Sequence, residues 1–266
     1  MEKLVKLAVI LSLLLAYFPQ TRAEADVGVI FMHGKRSSLK PRTSVWQLKE
    51  KMEDTKLNAV FPKMPWHRDR FMDADFQETL KEIDGLVAKL KSDGATKIVI
   101  GGHSMGANVA LAYAVIRRNV AGVVMVSPGH RPEGDNWRRS LAEDVAKAKA
   151  MVAAGKGDEE AEFGDRNQGD VGTFMMKAKI YVDFWDPEGP VIMSRNVTQL
   201  QGIPLMLTRG EKEVSQRKNR GQKTYKEMIF DKAHEHPKNL YREHDGGHRD
   251  TPESGATDII QWIKNL

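Results

Sequence analysis

Residues 97–107, KIVIGGHSMGA, decide how the rest of the chain is read. Ile98, Val99 and Ile100 are apolar and β-branched, which predicts a buried strand. Paired glycines end it, one serine follows, and an unbroken run of helix formers extends from Ala107 to residue 116. Within that strand, turn and helix, Gly102-His103-Ser104-Met105-Gly106 fits G-x-S-x-G, the pattern that holds a serine at the strained tip of a strand-to-helix turn. The glycines two before and two after the serine stand where strand and helix nearly collide, so a side chain there would stop the turn from closing. Ser104 then sits at the positive end of the following helix, where a developing anion is favoured. The alternative is a structural glycine turn with an incidental serine, and the strand before it and helix after it argue against that.

Working outward, the N-terminal residues separate from the rest. Lys3 and Lys6 precede an almost wholly apolar stretch, residues 7–18, and Ala23-Glu24-Ala25 offers a small-x-small cleavage site. This is the pattern of a secretory signal peptide, residues 1–25, with cleavage after Ala25 and an exported, periplasmic or secreted product. A stretch of twelve residues falls short of the roughly 20 needed to span a bilayer, so no permanent membrane anchor is expected. The chain has no cysteine, which excludes disulfides, thiolate catalysis and cysteine-based zinc sites. Its formal charge of +5 carries no dense basic stripe interleaved with aromatics, so nucleic acid is not an expected partner. The residues after position 25 suffice for one large α/β domain with a well-buried core.

Val27 to Gly34, VGVIFMHG, is a continuous apolar run of the kind seen in parallel strands covered on both faces, ending in His33-Gly34 and a polar loop, residues 35–41. Two backbone N–H groups are needed to hold an oxyanion, one just after the nucleophile and one from the loop after an early strand; Met105 and Lys35 are the natural pair. Lys35 would act through its backbone, leaving its side chain unconstrained, and His33 would brace the loop. Ser44 and Gln47 suggest a capping box for a short helix. Residues 58–61 suggest a strand, and a loop stiffened by Pro62 and Pro65 carries Trp66. Phe76, Leu80, Ile83, Val87 and Leu90 step by four and three, an amphipathic helix over 75–91. Residues 121–127 are the next strand. The alternation of strand and helix predicts a mostly parallel sheet with right-handed crossovers.

Residues 131–201 change character: charge is dense, glycines scatter, and a helix is expected over 141–154. The segment is too long for a simple crossover and reads as a lid or cap insertion over the active site. Tyr181, Phe184 and Trp185, with Trp66, could line a substrate pocket beneath it, or merely pack it onto the body. The core then divides into residues 26–130 and 202–266. Residues 203–208 resume the sheet, Arg209-Gly210-Glu211-Lys212-Glu213 forms the next turn, residues 239–244 are the last strand, and a C-terminal helix packs back over the sheet. Histidines 244 and 248 flank a glycine pair, which opposes the helix an H-x-x-x-H metal site would need, so no metal is expected.

Over the chain beyond residue 25, the sequence resembles the α/β-hydrolase superfamily. His33-Gly34, GHSMG at 102–106, RGEKE at 209–213 and GGH at 246–248 are similar to its oxyanion, nucleophile, acid and histidine motifs, in its order. The resemblance implies a mostly parallel sheet, here of about six strands because two leading strands are missing, flanked by helices, and no cofactor. It further implies Ser104 as nucleophile, His248 as general base and acid in competition with His244, and Glu213 as triad acid with Glu211 the second choice. Glutamate stands where such a turn normally carries aspartate. Two functions are expected: an exported serine hydrolase cleaving a small or medium carboxylic ester or thioester, or a non-catalytic binding protein whose triad has decayed at the acid. Retention at a membrane by an uncleaved N-terminus is a third reading.

Overall fold

The computed structural model describes residues 27–167 and 170–266; the expected signal peptide lies outside them. Strands β1 (Val27–Met32), β2 (Asn58–Val60), β3 (Lys97–His103), β4 (Gly122–Val126), β7 (Leu205–Gly210) and β8 (Leu240–His244) form one sheet in the order β2-β1-β3-β4-β7-β8. Every neighbouring pair is parallel. Within the sheet the chain runs from β1 outward to β2, then returns past β1 to β3 and proceeds the other way. The strand order therefore reverses between β1 and β3, and the loops leaving their carboxyl ends part to form a crevice. Residues 33–35 and 104–105 occupy those two loops.

Period-two alternation divides the strand residues between two cores. Ile30, Met32, Ile98, Ile100, Val123 and Met125 face a core closed by α2 (Phe76–Ser92) and α3 (Met105–Arg117). Val29, Phe31, Val99, Val124 and Met206 face the other, closed by α1 (Ser44–Glu53) and α8 (Ala256–Lys264) through Leu48, Met52, Ile259 and Ile263. Asp75 caps α2, accepting from Glu78 N–H while the Glu78 carboxylate accepts from Asp75 N–H. The cap of α1 sits one residue earlier than expected: Thr43 accepts from Trp46 N–H, and the Ser44 hydroxyl instead donates to the Arg249 carbonyl.

The connection from β4 to β7 holds α4 (Asp135–Ala153), an antiparallel hairpin of β5 (Glu160–Asn167) and β6 (Asp170–Lys177), α5 (Ala178–Trp185) and a single turn, α6 (Met193–Asn196). Helix α4 begins six residues before the predicted start, and the hairpin was not foreseen, since its strands are polar on one face and short of β-branched residues. Aromatic packing joins this segment to the body. Phe163 stacks on Tyr181 at 4.5 Å and Tyr181 on Trp185 at 5.2 Å, while Phe184 meets Phe76 at 6.1 Å and Trp66 at 6.3 Å. Among the described residues no helix is long and apolar enough to cross a membrane.

Candidate active site

At the end of β3 the backbone turns so sharply that Ser104 adopts φ 54°, ψ −118°, outside the regions an L-residue normally occupies. The two glycines make the turn possible. A Cβ on Gly102 would lie 2.6 Å from the Gly106 carbonyl oxygen, and one on Gly106 would lie 2.5 Å from that of Met32. Ser104 N–H donates to the Val126 carbonyl at 3.0 Å, which ties the elbow to the adjacent strand. Met105 opens α3, so its N–H has no acceptor within the helix. Lys35 N–H donates to no acceptor among the described residues, and its neighbour Gly34 abuts the elbow, a Cβ there falling 3.1 Å from Ser104 Cβ. His33 braces this corner as a neutral ring: burial pushes its pKa down to about 4. Its Nδ1–H donates to the Gly34 carbonyl at 2.8 Å, and its Nε2 accepts from Met64 N–H at 3.2 Å.

His248 and Glu213 meet although they lie 35 positions apart. Glu213 is in the first turn of α7 (Glu211–Asn219), a helix where the sequence suggested a turn. Lys212 N–H donates to the Gly246 carbonyl at 3.0 Å and draws the histidine loop onto the start of α7. His248 Nδ1 then lies 3.0 Å from Glu213 Oε1, so Nδ1–H donates to the carboxylate and Nε2 is left as the basic nitrogen. Burial alone would raise the Glu213 pKa. The hydrogen bond from His248, the Arg209 guanidinium and the Ser127 hydroxyl outweigh it and hold the carboxyl below its usual range. Arg209 donates to Oε1 at 2.7 Å and Ser127 to Oε2 at 3.0 Å. The longer glutamate is thus accommodated by a built cradle. Glu211, the second choice, is exposed on the same turn. His244 stays clear of the elbow, its ring packed where a Cβ on Gly255 would touch it at 2.8 Å.

Ser104 and His248 face each other across Gly129. A Cβ at that position would lie 2.9 Å from Ser104 Oγ, 3.0 Å from His248 Cε1 and 3.6 Å from His248 Nε2. His103, the variable residue of the elbow, holds the histidine loop from behind. Burial, then the nearby His248, push its pKa to about 3, so it is neutral, and its Nε2–H donates to the His248 carbonyl at 2.8 Å. Sequence reading missed Arg209, Ser127, Gly129 and His103 as parts of the site. The only available signal was position, at the ends of β3, β4 and β7.

Two expectations are corrected. Trp66, Tyr181, Phe184 and Trp185 do not line the cavity at Ser104; all four are buried, joining the β4–β7 connection to the body. Their apolar area is worth more in that packing than along a polar cleft. The Lys35 side chain is also constrained. It is buried, ion-paired with Asp165 on β5 and donating to the Arg166 carbonyl at 3.0 Å, with its ammonium 5.3 Å from the Trp185 ring centre. Burial lowers the Lys35 pKa, and Asp165 opposes the shift.

A parallel six-stranded sheet with a strand-turn-helix elbow at its switch point defines an α/β protein of the hydrolase type. The chain belongs to the alpha/beta hydrolase family, whose pattern it matches over residues 29–236. No curated protein sequence matches it. Solved structures with the same fold include a thermostable carboxyl esterase from Bacillus coagulans bound to glycerol, at 13% identity, TM-score 0.60 and 90% coverage of both chains. Another comes from work on two metagenome-derived lipolytic enzymes, at 15% identity and TM-score 0.58, covering 91% of this chain and 94% of that one. A third is the thioesterase domain from the curacin biosynthetic pathway, at 16% identity and TM-score 0.53, covering 90% and 91%.

Proposed function

We propose that this protein is an exported serine hydrolase that cleaves a small or medium carboxylic ester or thioester through an acyl-enzyme. The observation that carries the reading is the alignment of His248 between Glu213, 3.0 Å from its Nδ1, and Ser104, which it faces across Gly129. Ser104 Oγ attacks the carbonyl carbon as His248 Nε2 takes its proton; Glu213 fixes the ring's tautomer and stabilises the imidazolium. The N–H groups of Met105 and Lys35 hold the oxyanion. His248 returns the proton to the leaving alcohol or thiol. It then activates water to attack the acyl-enzyme, releasing the acid and restoring Ser104. Neighbours named as esterase, lipolytic enzyme and thioesterase support an ester or thioester bond. The segment between β4 and β7 serves as a cap over the cleft, and the N-terminal 25 residues direct export.

The reading of a binding protein with a decayed acid is disfavoured by the cradle around Glu213, because Arg209 and Ser127 hold its carboxylate ionised against His248. Fluorophosphonate labelling followed by intact mass tests the proposal. Wild type should label once, Ser104→Ala should not label, and His248→Ala and Glu213→Gln should label at least ~100-fold more slowly. An unlabelled wild type excludes an activated serine. N-terminal sequencing of the exported product tests cleavage after Ala25.

A further inference from the structure

The cavity that holds Ser104 has a volume of about 710 Å³, within the range of small-molecule sites, yet its lining is unlike the apolar pocket of an ordinary esterase. Arg131, Arg139, Arg166, Arg217, Arg220 and Lys223 all line it. The carboxylates lining it are Glu213, held by Arg209 and His248, and Asp135. None of the six cations is ion-paired with a carboxylate among the described residues. They come from four separate stretches: the loop and start of α4, strand β5, helix α7 and the loop after it. Their convergence is therefore a product of the tertiary fold, not the charged face of one helix.

The innermost part of this cluster surrounds the buried ring of Tyr225. The Arg209, Arg217 and Arg131 guanidinium carbons lie 3.8, 5.4 and 5.7 Å from its centre. Arg209 is committed to Glu213 and to the Pro128 carbonyl. Arg217 is held through its Nε–H, which donates to the Lys223 carbonyl at 2.7 Å, and through Nη2, 3.8 Å from Met228 Sδ, while neither Arg131 nor Arg217 is ion-paired with a carboxylate among the described residues. Partly buried like charges repel: burial first, and then the nearness of Arg131 and Arg209, lower the Arg217 pKa against the opposing pull of Tyr225 and Glu213. A cluster held at that cost is relieved by an anion, and the planar guanidinium suits carboxylate and phosphate oxygens in two-pronged contact.

We infer that the cavity takes an anionic ester or thioester, whose carboxylate or phosphate is held by Arg131 and Arg217 while its acyl carbon meets Ser104. The inference rests on the hydrolase reading above. Arg166 and Arg220 widen the positive field that draws such a substrate in from solvent.

Matched substrates test it: mono-4-nitrophenyl adipate carries a terminal carboxylate where 4-nitrophenyl hexanoate carries a methyl group, and the 4-nitrophenyl ester of 5-phosphonopentanoic acid carries a phosphonate. Wild-type kcat/KM should favour one of the anionic esters over the hexanoate by about 10- to 100-fold, the worth of a charged hydrogen bond. Which of the two is favoured identifies the group. The ratio should fall toward one in Arg217→Gln and Arg131→Gln, fall with added salt, and survive in part in Arg217→Lys, which separates lost charge from lost folding. A wild-type ratio of one or below, or a ratio unchanged in the Gln variants, overturns the inference. Calorimetric titration of Ser104→Ala with monomethyl and dimethyl adipate, and with 5-phosphonopentanoic acid, separates the two readings. If no ester is hydrolysed but an anionic ligand binds and Arg217→Gln abolishes it, the hydrolase reading fails and the anion site stands. If neutral esters are hydrolysed and no anionic ligand binds, the anion site fails alone.

Discussion

Gly129→Ala tests the central geometry of the site with a single methyl group. The residue lies in the loop three positions past the end of β4, in a backbone conformation open to alanine, because it is not among the glycines with positive φ. The new methyl carbon would lie 2.9 Å from Ser104 Oγ and 3.0 Å from His248 Cε1, each several tenths of an ångström inside ordinary contact. Both neighbours would have to swing aside, and the methyl would stand between nucleophile and base. General-base assistance is worth about 10²- to 10⁴-fold, or roughly 3–5 kcal/mol of transition-state free energy, and most of it should be lost. Fitting one extra methyl costs about 1–3 kcal/mol where packing is rigid, and a site opening on a cavity should sit at the lower end. The expected result is kcat on an ester substrate reduced by at least ~100-fold, labelling by fluorophosphonate slowed in parallel, and a melting temperature lowered by only ~2–4 °C. A variant with near-wild-type kcat would refute the claim that Ser104 and His248 work across this glycine. A variant that loses activity only by unfolding would also refute it.

Asp165→Asn leaves the Lys35 ammonium buried without its partner, and breaking such a pair costs about 3–5 kcal/mol. Calorimetry should show Tm lowered by ~10 °C, with much of it recovered in Lys35→Met/Asp165→Leu; an unchanged single variant would mean the pair is relaxed by water. His33, His103 and His130 have pKa values of about 4, 3 and 3 in the folded state, all lowered chiefly by burial from 6.5. The unfolded chain takes up protons these rings refuse, so their stability contribution is whole above pH 6.5 and falls as pH drops toward their folded values. Between pH 7 and 5 each should cost about 2 kcal/mol in urea unfolding, with His103→Gln removing about a third of the loss. A flat profile over that range would show the rings to be solvated.

Local sequence determined the framework because its signals are short-range. Apolar β-branched runs at 27–32, 97–103 and 122–126 can only be covered strands, and the steps of four and three from Phe76 to Leu90 can only bury one helical face. The serine's place also follows locally, since Gly102 and Gly106 are required by the turn itself. The sequence pattern named His248 and Glu213 as candidates but could not bring them together. Their 3.0 Å contact depends on Lys212 N–H binding the Gly246 carbonyl, a meeting of two loops. The same limit applies to Gly129, whose missing side chain matters only because two distant residues flank it, and to His103, whose partner is a carbonyl 145 positions away. The aromatic residues of 181–185 stay open in the sequence, between lining a pocket and packing, for a related reason. Periodicity reveals which face of α5 is apolar but not what it meets, and it meets Trp66 and Phe76 in the core. The cationic lining of the cavity is the furthest from any local pattern. Residues scattered from 131 to 223 read as ordinary surface charge in the chain, and only the fold gathers them beside Ser104. Local sequence sets backbone torsions and burial over a few residues, whereas the chemistry of a site depends on distances between residues that only packing brings together.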